Sequence, residues 1–169
     1  MGRVSTKENK TVYQVCREDL GLSREKAADL LQVVTPERIE KIENEKINPQ
    51  PEDIMAMVTA YGAPNLCNYY CANECPIGKQ YVPEIKIKEL PQIVLEMLTS
   101  LNAMGRKQER LIEITVDNQI DSHEIQDFVT IQEELEKISI TVETLQLWVE
   151  RMLASGAIDM DAYLACKNK

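Results

Sequence analysis

The apolar residues Phe128, Ile131, Leu135, Ile138, Val142, Leu145, Val149 and Met152 follow one another in alternating steps of three and four. That period of 3.5 forms one stripe on an α-helix and no face of a strand. Upstream, Leu90, Val94, Met97, Leu101 and Met104 keep the spacing until Gln108, Thr115 and Asn118 dilute it with polar side chains. Two long helices are expected. Asp117 to Ser122 supplies the turn and cap between them, and Glu124 and Asp127 fall in the following first turn, where negative charge is favoured. From Ser122 to Ala154 the second helix would extend about 50 Å at 1.5 Å per residue. An antiparallel hairpin with residues 89–118 buries the seam, leaving Ile125, Ile140, Leu147 and Trp148 off it to face a second chain. The expected assembly is a homodimer, because twofold pairing is the commonest way to cover such a surface. The alternative is a monomeric bundle over which residues 158–166, with Ile158, Tyr163 and Leu164, fold back.

The rest of the 169-residue chain agrees with an all-α class: 6 Gly, 1 Phe and 1 Trp are too few for the turns and aromatic pairs of a sandwich or barrel. With 19 Lys+Arg and 28 Asp+Glu the net charge is 19 − 28 = −9, which disfavours unspecific nucleic-acid binding. No apolar run approaches the roughly 18 residues of a membrane span, and no apolar stretch opens the chain, so a cytoplasmic protein without membrane contact is expected. Met1-Gly2-Arg3-Val4-Ser5-Thr6 fits the loose myristoylation pattern, but Arg3, Lys7 and Lys10 read more simply as a solvated basic arm, residues 1–10, or as an arm along a DNA groove. One His, no glycine-rich phosphate loop and no Ser-His-Asp spacing give catalysis no foundation, so no enzyme is expected. His123 beside a helix start reads as a surface side chain.

Residues 11–63 carry the punctuation of four short helices. Gly21 stops the first and Ser23 caps the second; Thr35-Pro36-Glu37 opens a third, and Asn48-Pro49-Gln50-Pro51 breaks the chain before a fourth over Glu52 to Tyr61. Cys16-Arg17, Gly21-Leu22-Ser23, Glu25, Ala28, Leu31, Ile39, Ile42-Glu43, Pro49 and Tyr61-Gly62 together resemble the lambda-repressor-like (Xre-type) helix-turn-helix family. The resemblance implies a structural ion pair between Arg17 and Glu43 and a DNA-binding regulator. It would put Arg24 on a phosphate, and Thr35, Glu37, Arg38, Glu40 and Lys41 near the major groove of double-stranded DNA. Where the family has a turn glycine, this chain has Gln32 or Val33.

Residues 11–62 hold six Lys+Arg and ten Asp+Glu, 6 − 10 = −4, with Glu37, Glu40, Glu43 and Glu45 around the expected recognition helix. Phosphates repel such a surface, so a second reading stays open: an interaction scaffold that keeps the fold, has lost DNA affinity and binds a basic protein partner. Between the halves, residues 64–88 form a Cys- and Pro-containing connector before the helical region 89–169. Cys67, Cys71 and Cys75 stand four apart, which on a helix places three thiols along one face. Zinc or an iron–sulfur cluster is one reading, and with it a thiol- or metal-linked sensor; structural or surface thiols without a cofactor is the other. A fourth ligand is not apparent, and Cys16 reads as a small core hydrophobe.

Overall fold

The computed structural model describes residues 9–117 and 119–168. The arm motif at residues 1–8 and the seam position Asn118 therefore lie outside the described residues. Among the described residues the regular structure is helical throughout: α1 (Val12–Asp19), α2 (Arg24–Leu31), α3 (Pro36–Glu43), α4 (Pro51–Tyr61), α5 (Asn65–Asn73), α6 (Gly78–Tyr81), α7 (Leu90–Ile114), α8 (Ile125–Ala154) and α9 (Met160–Lys167). The chain divides into two units, Met1–Glu84 with Val149–Lys169, and Ile85–Trp148. The division falls inside α8. Residues 149–168 group with the first unit, where Glu150 is near enough to Cys67 to raise its thiol.

In the first unit the caps expected at Ser23 and Thr35 are formed, and Thr11 caps α1 as well. Thr11, Ser23 and Thr35 accept hydrogen bonds from the backbone N–H groups of Gln14, Lys26 and Arg38. Gly62 ends α4 in the left-handed conformation, and Gln50 with Asp53 builds a capping box at its start. α1 and α2 each pack on both α3 and α4, around Tyr13, Ala27, Leu31, Ile39, Ile42, Ile54, Met57 and Tyr61. Part of the connector joins this core: α5 packs on α4 and seals the core with Leu66, which is fully buried, while Tyr69 packs edge-on against Tyr13. At Gly78 the backbone comes so close to α5 that a Cβ would stand 2.1 Å from the Cys71 carbonyl oxygen.

The second unit is an antiparallel hairpin of α7 and the first 24 residues of α8. Arg110 binds Asp127, Lys107 donates to the Thr130 carbonyl and approaches Glu134, and Ser100 and Thr141 line one groove between the helices. The contact line of α7 runs in sevens through Ile93, Ser100, Lys107 and Ile114; on α8 it runs through Asp127, Glu134 and Thr141. The expected seam holds at Ile131, which is buried, and at Met97, Met104, Phe128, Ile138 and Leu145, which are half-buried; at Val94, Leu101, Leu135 and Val142 it is displaced by one residue. Leu135 and Val142, read as inward, are half exposed, whereas Leu147, read as outward, is buried. Ser100, Thr141 and Thr144 are buried, and the Lys107 and Arg110 contacts pair polar groups across the two helices, while Leu135 and Val142 face the hairpin's edge. Asp121 caps α8 by accepting from the N–H groups of His123 and Glu124. α9 buries no residue.

Candidate nucleic-acid interface

The helix pair α2–α3 is held by a network of buried charges. Arg17 on α1 donates from Nε to Glu43 Oε1 at 2.5 Å and from Nη2 to Oε2 at 3.0 Å, and its Nη1 donates to the Leu22 carbonyl. Arg24 at the start of α2 adds a third bond, Nε to Glu43 Oε2 at 2.8 Å. Glu43 and Arg17 are both buried, so one carboxylate ties the first turn of α2 and the end of α1 to the last turn of α3. Such a cluster fixes geometry more than it adds stability, because desolvation offsets most of the attraction. The ion pair implied for Arg17 and Glu43 is present, and Arg24 extends it.

The positions expected at DNA fall into two groups. Thr35, Glu37, Glu40 and Lys41 are exposed along α3, with Thr35 serving also as its cap. Arg24 and Arg38 are engaged by carboxylates. Arg24 keeps 30 % of its side chain exposed beyond the Glu43 contact. Arg38 makes a two-pronged contact with Asp53, 2.8 and 2.6 Å, which bolts α3 to the start of α4. Burial alone would push the Asp53 carboxyl up, but the Arg38 hydrogen bonds, the Gln50 N–H and the Arg38 charge outweigh it and hold the group below the ordinary carboxylate value.

α2 and α3 pack against one another. The Glu25 and Glu37 carboxylates sit at free helix N-termini, and their own backbone N–H groups and the capping hydroxyls of Ser23 and Thr35 keep them ionised to lower pH than usual. A phosphate approaching those N-termini competes with them. Lys26 and Lys46, which sequence reasoning passed over, are exposed near either end of the pair; their only sequence signal was their place beside a cap and after a helix end. The turn between α2 and α3 puts Gln32 where the family has glycine, at φ +59°.

Cys67 Sγ lies 3.9 Å from Met55 Sδ on α4, while Cys75 Sγ accepts from the Gly78 N–H at 3.5 Å. Among the described residues no group of three or more His, Cys, Asp or Glu side chains is placed to hold a metal ion. Burial pushes the Cys16 and Cys67 thiols up, Cys67 further through Cys71 and Glu150, which makes them poor thiolates. Cys16 packs against the core as a small hydrophobe, and His123 is exposed.

Among the described residues no helix is long and apolar enough to cross a membrane. No curated protein and no solved structure matches the chain significantly. Residues 15–64 match the model of a family described as helix-turn-helix, a segment that runs from within α1 through α4. That segment is therefore a helix-turn-helix domain of the lambda-repressor-like (Xre) type, carried at one end of an otherwise helical chain.

Proposed function

We propose that the chain is a dimeric DNA-binding regulator that acts by binding and makes no bonds, with α3 laid along the major groove. The observation that carries this reading is the family match over residues 15–64, together with an α3 whose Thr35, Glu37, Glu40 and Lys41 are free of the core. Lys41 and Lys26 supply phosphate contacts, joined by the donors of Arg24 that Glu43 does not use. Arg38 serves the domain's own packing first. Few phosphate contacts on an acidic domain mean weak unspecific binding, so discrimination between sequences must come from base edges.

A titration of the intact protein with promoter-derived and random duplexes across a salt series tests this. The expected result is affinity that falls linearly on a log–log plot with salt, and Lys41→Ala should lower the slope by about one. Absence of binding to every duplex at low salt would overturn the regulator and leave the interaction scaffold, whose acidic surface would take a basic protein.

A further inference from the structure

We propose that one side of the α7–α8 hairpin is the surface on which two copies of this chain meet, forming a four-helix bundle. The proposal rests on the dimeric reading above and names its interface. Relative to the contact line between α7 and α8, residues one step later in the chain are Val94 and Leu101 on α7 and Phe128, Leu135 and Val142 on α8. Residues one step earlier are Thr99, Arg106 and Glu113 on α7 and Gln126, Glu133 and Ile140 on α8. In an antiparallel pair the same offset falls on the same side in both helices. One side is therefore apolar along both rods, and the other carries the charges.

The apolar side is open. Val94 is 43 % exposed, Leu98 53 %, Leu101 48 %, Leu135 46 % and Val142 46 %. These five side chains leave roughly 400 Å² of contiguous apolar surface, as large as the patches that mark contact sites, and with their half-buried neighbours approach the ~800 Å² per partner of a specific interface. The heptad spacing on both rods is the spacing by which helices interlock with other helices.

Charge decides the occupant. Each copy carries −9, so two copies repel wherever charged faces meet. On this side uncharged Gln108, Gln132 and Ser139 replace the charges found opposite, and a twofold axis lays the strip on its own image. A basic partner would instead seek the side bearing Glu113 and Glu133.

The test is the mass of the intact protein by sedimentation over a wide dilution range, for wild type, for Leu101→Glu with Val142→Glu, and for Leu95→Glu. Leu95 is 67 % exposed on the other side of α7, where it lines a groove with Thr99 and Ile140. Helicity by circular dichroism shows that each variant is folded. Wild type and Leu95→Glu should have twice the monomer mass, and the double variant should be a monomer with its dimer dissociation constant raised at least 100-fold. A double variant that remains dimeric, or a wild type that is monomeric throughout, overturns the proposal. A dimer that breaks as expected while wild type binds no duplex leaves this interface standing and removes the DNA reading alone.

Discussion

Gln32 takes φ +59° and ψ −30°, a conformation that side chains with a Cβ rarely adopt. Its strain belongs to the turn that joins α2 to α3. Gln32→Gly should stabilise the protein by about 1 kcal/mol in urea denaturation, and Gln32→Ala, which keeps the Cβ, should not. Glu74 is the opposite kind of site. It accepts the Tyr13 hydroxyl hydrogen bond at 2.9 Å on one oxygen, and its other oxygen is buried with no hydrogen-bond partner among the described residues. Burial raises its carboxyl above the ordinary value, further than the Tyr13 bond and Lys79 lower it. A carboxyl raised in the folded state binds its proton more tightly there than in the unfolded chain. Ionisation of Glu74 therefore costs stability, fully above the folded value and not at all below the unfolded one. Glu74→Gln should raise the denaturation midpoint at neutral pH, and the gain should vanish by about pH 4, near the unfolded carboxylate range. A gain of equal size at both pH values would contradict the assignment. Asp53 runs the other way: its lowered carboxyl stabilises above the unfolded value and loses that contribution as pH falls through the folded one.

At the scale of elements, the caps were legible because they are local. Ser23, Thr35 with Pro36, Gly21 and Gly62 each satisfy backbone groups within four residues, so their letters suffice to place α1 to α4. α5 was not legible as part of the core, because Leu66 and Tyr69 seal a core built by residues far from them in sequence. Nor was Gly78 marked: its requirement is set by the Cys71 carbonyl across a turn. Gly78→Ala forces that contact apart, since backbone cannot give way cheaply, and should destabilise the first unit by about 1–3 kcal/mol without changing the hairpin's melting, as read by hydrogen exchange on each unit. The long helices were plain in the 3.5-residue stripe, whereas their rotation was not. A stripe says that a helix has an apolar side and leaves open which neighbour covers it, and here Lys107, Arg110, Ser100 and Thr141 took the contact line that Leu135 and Val142 were expected to hold.

For the whole molecule, the two proposed associations respond to salt with opposite sign. Pairing through an uncharged face joins two acidic chains, so screening of their −9 charges should tighten the dimer as ionic strength rises. Binding to phosphates should weaken over the same range through counterion release. Sedimentation and DNA titration in matched buffers check this, and parallel trends would mean that the two events are not what they are taken to be. Glu37→Gln with Glu40→Gln removes two negative charges from the exposed side of α3 and should strengthen unspecific duplex binding several-fold at low salt. The sequence by itself determined the helical class, the helix-turn-helix segment and the caps of α2 and α3, because periodicity and capping act over a few residues. Only the tertiary structure decided that Arg24 and Arg38 are spent on carboxylates and which stripe of the hairpin stays bare, because each depends on which distant side chain wins a place at a shared contact.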